Sequence, residues 1–185
     1  IHGKSGAGKS SLIKLIMGLL HPLDGEILIN SKSIDFSKES IGKQVGYVPQ
    51  DIFLVDGPLS SNIALQQNKN NINYEMLKDS ILNSNLTSLL DDSKNDYNLK
   101  IVDRGFNLSG GQRQRIGIAR ALYLNPNILI LDEPNNNLDT NSSEIIIKNL
   151  NNLKKNKIII VISHSENFLS FCDKNFFIRD GVLEI

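Results

Sequence analysis

Four short motifs contain the residue types that could perform chemistry in this sequence. They occur in the order GKSGAGKS (3–10), LSGGQ (108–112), ILILDEP (128–134) and ISHS (162–165). The first fits the phosphate-loop pattern of Gly, four residues, Gly, Lys, and then Ser or Thr. Each motif suits a different part of an ATP molecule, and together they predict a nucleotide site that two copies of the protein must close.

The first motif offers backbone amides and one cation. Its glycines allow the backbone to curl so that successive N–H groups face one phosphate, and the helix that follows adds its positive N-terminal dipole. Lys9 would place its charge on the β- and γ-phosphates, and Ser10 would offer a hydroxyl to Mg²⁺. The predicted ATP-binding residues of this loop are Gly3, Lys4, Ser5, Gly6, Ala7, Gly8, Lys9 and Ser10.

Polar side chains follow three predicted buried strands at the point where each strand ends. Asp132 ends one strand with Glu133 directly after it, whereas His164 and Gln50 follow two others. In parallel sheets this edge is the crevice where ligands bind. We expect Asp132 to hold Mg²⁺, Glu133 to act as general base and His164 to orient the attacking water. The predicted catalytic residues are Glu133, His164, Lys9 and Gln50, and the predicted metal ligands are Ser10, Gln50 and Asp132.

LSGGQ predicts an accessible helix N-terminus rather than a cradle for the chain's own phosphate loop. Ser109 is placed as the N-cap, and Gln112 occupies the reciprocal position of a capping box. Gly110 and Gly111 leave no side chain protruding, so this helix start could accept a phosphate. Ser109, Gly110, Gly111 and Gln112 are therefore predicted nucleotide-binding residues. Taken in isolation, the motif would also fit an ordinary capped helix.

Strands and helices alternate along much of the chain. Apolar periodicity predicts helices over 10–20, 74–82, 110–124 and 141–154. It predicts strands over 26–30, 45–48, 128–132 and 157–163, and a hairpin of 174–178 and 182–185 around Asp180-Gly181. Asn141 and Glu144 have the spacing of a capping box. The pattern predicts an α/β fold with a mainly parallel sheet covered on both faces and a small antiparallel portion.

Length and composition limit the possible classes of protein. A chain of 185 residues is one domain, here with an inserted helical lobe over about 59–103 between core segments 1–58 and 104–185. Acidic and basic residues balance at 20 each, so no nucleic acid is expected as a partner. Cys172 is the single cysteine, which excludes an internal disulfide. Because the chain opens inside a motif, we expect it to be a segment of a longer protein.

These residues resemble the nucleotide-binding domain of an ATP-binding cassette (ABC) protein over nearly the whole chain. Residues 3–10 match the Walker A motif of that family, 108–112 its signature and 128–133 Walker B. Gln50, residues 136–139 and His164 stand at its Q-loop, D-loop and H-loop. The resemblance implies a phosphate-loop NTPase core with an inserted helical lobe. It also implies a head-to-tail dimer that holds ATP and Mg²⁺ between Walker A of one copy and the signature of the other.

Two longer segments resemble the exporter type of this family, VGYVPQDIFLVDGPLSSNI (45–63) and VDRGFNLSGGQRQRIGIARAL (102–122). This resemblance implies a transmembrane domain upstream on the same chain, and hence a position at the cytoplasmic face of a membrane. Asp103 stands where exporters usually have Glu in the loop that touches the membrane domain. Asn136 and Asn137 replace the usual Ser-Ala of the D-loop, and Pro134 replaces an Ala common in exporters.

Three other classes of protein remain alternatives. The chain could be an importer ATPase, whose membrane subunit is encoded separately. A soluble ABC ATPase working on DNA or ribosomes would need a coiled-coil insertion or a basic surface, and the sequence has neither. A nucleotide-binding regulator without turnover is disfavoured because Lys9, Asp132, Glu133 and His164 occur together.

Overall fold

The central sheet is parallel, and Gln50, Glu133 and His164 follow its three strands. The computed structural model describes residues 1–34, 44–66, 68–90, 97, 99–135 and 140–184. Strand β3 (Val45–Val48) lies beside β6 (Ile128–Asp132), which lies beside β7 (Ile158–Ile162). Both pairings are parallel, so the carboxyl ends of all three strands meet at one edge.

Strand β6 is buried on both faces, as its unbroken apolar sequence predicts. Leu129 and Leu131 pack in a cluster with residues of the helices on one side of the sheet. Ile130 points the other way and packs with Ile13 of the first helix. All three strand residues are 0% exposed. The predicted parallel sheet covered on both faces is therefore confirmed.

Six helices surround this sheet in the described part of the chain. They are α1 (Lys9–Ile16), α2 (Leu59–Ala64), α3 (Tyr74–Asn83), α4 (Gly110–Leu122), α5 (Thr140–Leu153) and α6 (Glu166–Phe171). None of them is long and apolar enough to cross a lipid bilayer. Short antiparallel pairs complete the structure: β1 (Leu28–Ile29) with β2 (Lys32–Ser33), β4 (Gly57–Pro58) with β5 (Lys100–Ile101), and β8 (Phe177–Arg179) with β9 (Val182–Glu184).

Helix α4 packs in two apolar clusters at once. Ile116 and Ala119 belong to a cluster with residues of α2 and α3. Ile118 and Leu122 belong to the cluster against the sheet. The helix that begins with the LSGGQ motif is thus fixed both to the sheet and to the helices of the 59–103 segment. The boundaries of a separate lobe stay a prediction.

Two predicted helix ends are wrong, and each has a local cause. Helix α1 ends at Ile16 rather than at residue 20 because Gly18 adopts a φ of +72°. The Leu19 amide then donates to the Lys14 carbonyl at 2.8 Å, and the Gly18 amide donates to the Leu15 carbonyl at 3.0 Å, which is a Schellman termination. The predicted capping box of Asn141 and Glu144 is also wrong. Helix α5 already begins at Thr140, so Asn141 is helical and cannot be the N-cap.

Most other ends differ from the prediction by one to three residues. Helix α4 stops two residues early, β1 and β7 are shorter at both ends, and β8 starts at Phe177 rather than at residue 174. The bounds of β3 and β6 are as predicted. The predicted hairpin is confirmed, because Asp180 and Gly181 both adopt positive φ values, 48° and 79°, and join paired strands.

Gly46 permits the close contact between β3 and the end of α4. A Cβ atom at this position would collide with the backbone carbonyl of Ala121 and lie 2.9 Å from Pro126 Cγ. Since backbone cannot move aside cheaply, we expect Gly46→Ala to lower the free energy of unfolding by about 1–3 kcal/mol. Gly117→Ala is the matched control. The three atoms nearest to its Cβ would all belong to the side chain of Ile52, which can shift more readily than backbone, and alanine gains up to about 1 kcal/mol of helix propensity.

Urea denaturation of the two variants beside the parent protein measures this difference. The midpoint should fall for Gly46→Ala and change little for Gly117→Ala. Equal shifts for both variants would contradict the assigned role of Gly46.

Candidate active site

A polar cavity of about 680 Å³ opens where α1 begins and where β6 and β7 end. Its walls bring together every residue predicted to be catalytic or to bind metal. The lining residues are Ser5, Gly6, Gly8, Lys9, Ser10, Ser11, Gln50, Asp132, Glu133, Asn135, His164 and Ser165. Their individual roles stay predictions, whereas their convergence is a property of the fold. The predicted D-loop, residues 136–139, lies outside the described residues.

The loop before α1 has the backbone curvature that its glycines predict. Gly3, Gly6 and Gly8 adopt φ values of 154°, 80° and 106°. Gly8 is the N-cap of α1 and offers no side chain to the first amides of that helix. The Lys9 ammonium folds back over the loop, donating to the carbonyl oxygens of Gly3 at 2.6 Å and Lys4 at 3.0 Å. Since an ammonium has three donors, one is left for a phosphate oxygen.

The β8–β9 hairpin supports this loop from behind, which sequence reasoning missed. The Gly181 amide donates to the Ala7 carbonyl at 3.2 Å. The Ile178 amide donates to the His2 carbonyl at 2.8 Å, and Ile178 lies against Gly3 so closely that no Cβ atom would fit there. The Asp180-Gly181 turn was a visible signal in the sequence, but it predicted a hairpin and not where that hairpin packs.

The side chains of Glu133 and His164 lie next to each other in the wall of the cavity. Glu133 Oε1 lies 3.5 Å from His164 Nε2, and the side chains of the two residues are 16% and 56% exposed. The Glu133 amide extends the strand pairing by donating to the Ile162 carbonyl at 2.8 Å. Glu133 itself adopts a φ of 46°, a strained conformation for a non-glycine residue. The end of β6 therefore directs the mostly buried Glu133 carboxylate into the cavity, beside the His164 imidazole.

A hydrogen bond between Ser163 and Asn135 joins the two loops that carry Glu133 and His164. The Ser163 hydroxyl donates to Asn135 Oδ1 at 2.7 Å and accepts from the Ser165 amide at 3.1 Å. Ser163 is 1% exposed. The backbone on both sides of His164 is thus anchored to the segment just after Glu133. Sequence reasoning missed this pair because the partners are 28 positions apart.

Asp132 has a tyrosine partner that sequence reasoning also missed. The Tyr47 hydroxyl donates to Asp132 Oδ2 at 3.1 Å. Burial, and then the neighbouring Asp132 carboxylate, raise the pKa of Tyr47 to about 12. The phenol consequently keeps its proton, and its ability to donate, throughout the neutral pH range.

The oxygen donors of this cavity fit a magnesium ion. Ser10 offers a hydroxyl, Gln50 an amide carbonyl and Asp132 a carboxylate, and all three line the same space. The described residues contain no group of three His, Cys, Asp or Glu side chains that could hold a metal ion. Mg²⁺ is typically bound by one or two carboxylates together with substrate phosphates rather than by a dedicated protein cage. The donor set matches that mode of binding.

The LSGGQ segment forms the predicted capped helix start. Gln112 Oε1 accepts from the Ser109 amide at 2.8 Å, and Ser109 Oγ accepts from the Gln112 amide at 3.2 Å. Both bonds of the capping box are therefore present. Arg113 braces the preceding turn by donating to the carbonyls of Leu108 and Gly105 at 2.7 and 3.3 Å. None of the LSGGQ residues lines the cavity described above.

Comparisons with known proteins place the chain in a family. The family model described as "ABC transporter" matches residues 1–136. The "Probable ABC transporter ATP-binding/permease protein" of Haemophilus influenzae is 34% identical over 182 residues, which cover 98% of this chain and 33% of that protein. The "Alpha-hemolysin translocation ATP-binding protein HlyB" of Escherichia coli O157:H7 is 36% identical over 188 residues, which cover 98% of this chain and 26% of that protein.

A solved structure agrees with these matches. The chain superposes on the "Structure of a bacterial Atm1-family ABC exporter with ATP bound" with a TM-score of 0.84 and 28% identity, covering 100% of this chain and 32% of that one. The chain belongs to the ABC transporter family. Within it, the chain is homologous to the nucleotide-binding domains of ABC exporters, and it spans about a third or less of the length of these relatives.

Proposed function

We propose that this chain is the Mg²⁺-dependent, ATP-hydrolysing motor of a membrane exporter. The observation that carries the proposal is the single cavity that holds Lys9, Asp132, Glu133 and His164. A regulator that only bound nucleotide would not need a general base beside a water-orienting imidazole. The similarity to ATP-binding/permease proteins supports the exporter type over an importer subunit.

In this proposal each side chain acts on a defined part of the reaction. The loop amides and the Lys9 ammonium bind the β- and γ-phosphates of ATP. When bound, Mg²⁺ would be held by Ser10, Gln50 and Asp132 and would neutralise charge on those phosphates. Glu133 takes a proton from the attacking water, and His164 hydrogen-bonds the γ-phosphate and orients that water. The Ser163–Asn135 hydrogen bond fixes the position of the segment that carries His164 relative to the segment that carries Glu133.

A second ABC ATPase domain, identical or different, completes the site. The support is the position of Ser109–Gln112, a helix start with an exposed Ser109 that lies outside the cavity of its own chain. The Ser109 hydroxyl oxygen accepts a hydrogen bond from the Gln112 amide. Its O–H group can therefore still donate a hydrogen bond to a phosphate oxygen. In a head-to-tail dimer this helix start would meet the γ-phosphate bound to the partner's loop.

We also propose that an apolar surface contacts a transmembrane domain on the same chain, at the cytoplasmic face of a membrane. Phe53 and Phe106 are 64% and 88% exposed, and Val55 and Val102 on the same two segments are 50% and 44% exposed. Asp56 joins the two segments, because its Oδ1 accepts from the Arg104 amide at 2.7 Å. Exposed apolar patches of this kind mark interaction sites. This surface lies where the core segments join the two ends of the predicted lobe, about 59–103.

Lys9→Ala tests the proposed site through nucleotide affinity. Loss of a charge-assisted hydrogen bond should weaken ATP binding about 10- to 100-fold. Lys14→Ala is the control, since Lys14 is an exposed residue of the same helix and does not line the cavity. The measurements are titration of ATP and steady-state hydrolysis by the intact protein in lipid, with and without Mg²⁺. Unchanged affinity would refute the role of Lys9, and ATP binding without any Mg²⁺-dependent hydrolysis would refute the motor.

A further inference from the structure

We propose that Tyr47 is a positioning residue whose hydroxyl orients the Asp132 carboxylate toward the magnesium ion. The inference rests on the proposed function, because it concerns the same metal site. It assigns a role to a residue that lies outside the four motifs and that does not line the cavity. The contact that carries it is the 3.1 Å hydrogen bond from the Tyr47 hydroxyl to Asp132 Oδ2.

The sheet register explains why this contact forms. Tyr47 on β3 lies opposite Ile130 on β6. Successive side chains of a strand alternate between faces, so Ile130 and Asp132 lie on the same face of the sheet. A diagonal neighbour two positions along the adjacent strand is within reach of a long aromatic side chain. The Tyr47 side chain therefore reaches diagonally from β3 to the Asp132 carboxylate at the end of β6.

The ring and the hydroxyl of Tyr47 have separable roles. The ring packs at the edge of the apolar cluster of Ile13, Ile130 and Ile162. A phenylalanine ring would fill the same place, so the apolar packing alone does not require a hydroxyl. The hydroxyl fixes one carboxylate oxygen, and the carboxylate retains acceptor capacity for a metal-bound water. Partners of this kind commonly set the orientation of a metal-binding carboxylate.

Tyr47 also ties together the two strand ends that carry two of the three proposed metal ligands. Gln50 follows β3 three residues after Tyr47, and Asp132 ends β6. The hydrogen bond between Tyr47 and Asp132 spans 85 positions of sequence and joins these two strand ends directly. Removing it would release the Asp132 rotamer, while the phosphate loop on α1 would stay in place.

Tyr47→Phe tests the proposal in the intact protein. Binding of a fluorescent ATP analogue is titrated against Mg²⁺, and again in EDTA. We expect the Mg²⁺ concentration for half-maximal binding and for half-maximal hydrolysis to rise about tenfold. The nucleotide affinity in EDTA should equal that of the parent, because the phosphate-loop contacts do not involve Tyr47.

Tyr123→Phe is the matched control. It also removes a tyrosine hydroxyl that makes a hydrogen bond, here from the Asn73 amide at 2.9 Å, but it does so away from the cavity. This variant should lose some stability and keep the Mg²⁺ requirement of the parent. An unchanged Mg²⁺ requirement in Tyr47→Phe would overturn this inference and leave the proposed function standing. So would an equal loss of affinity with Mg²⁺ and in EDTA, which would assign Tyr47 a packing role. A parent protein with no Mg²⁺ requirement would overturn the proposed function as well.

Discussion

Glu133→Gln is expected to bind ATP normally and to hydrolyse it about 10²- to 10⁴-fold more slowly than the parent protein. Glutamine keeps the size of the side chain but cannot accept a proton from water at neutral pH. The Glu133 carboxylate is 16% exposed and lies 3.5 Å from His164 Nε2. A neutral amide at this position should leave the phosphate loop and its bound nucleotide undisturbed, so that ATP persists and holds the dimer closed.

The test measures ATP turnover of the intact protein in lipid together with the amount of ATP that stays bound. Glu144→Gln is the control, because Glu144 is an exposed residue of α5 outside the cavity. It should turn over ATP at the parental rate. Normal turnover by Glu133→Gln would contradict the general-base role and would leave His164 as the candidate base. Loss of ATP binding in the variant would instead indicate that the carboxylate has a structural role.

The sheet and the convergence of the motifs could be predicted because they depend on local patterns and one geometric rule. An unbroken apolar run predicted β6 with its observed bounds, since a strand buried on both faces needs apolar residues at every position. Parallel strands place their carboxyl ends together, which brought Gln50, Glu133 and His164 to one cavity. These inferences required that each strand be recognised as a buried strand of a parallel sheet. They did not require the order of the strands in that sheet.

The contacts that support the site could not be predicted, because they depend on which strands are neighbours. The Tyr47–Asp132 bond requires β3 beside β6, and the Ser163–Asn135 bond requires β6 beside β7. The partners are 85 and 28 positions apart. No local spacing in a single sequence reports such a pairing, even where each strand is recognised correctly.

Helix ends show the limit of a local rule. The same capping-box spacing predicted the start of α4 at Ser109 correctly and the start of α5 at Asn141 incorrectly. At Ser109 the preceding residues form a turn braced by Arg113, so the chain enters the helix at that residue. Helix α5 already includes Thr140, so Asn141 lies inside the helix and not at its N-cap. Capping residues are therefore permissive signals, and their spacing alone does not decide where a helix begins.

Ser109→Arg is expected to abolish ATP-dependent dimerisation while the monomer stays folded. Ser109 is an exposed N-cap, and Gly110 and Gly111 add no side chain after it. A long arginine side chain would occupy the space in which the partner's γ-phosphate should lie. Loss of the serine cap costs about 1 kcal/mol, which is too little to unfold a domain of ordinary stability.

Ser109→Thr separates obstruction of the dimer from loss of the cap. Threonine keeps both the capping oxygen and a hydroxyl donor, so this variant should still dimerise with ATP. Both substitutions are made in the Glu133→Gln background, where bound ATP persists, and mass is measured by light scattering beside circular dichroism of the monomer. An ATP-bound dimer of Ser109→Arg would exclude the LSGGQ helix start from the interface. Failure of the threonine variant as well would show that the site tolerates no added volume, even a methyl group, beside the phosphate.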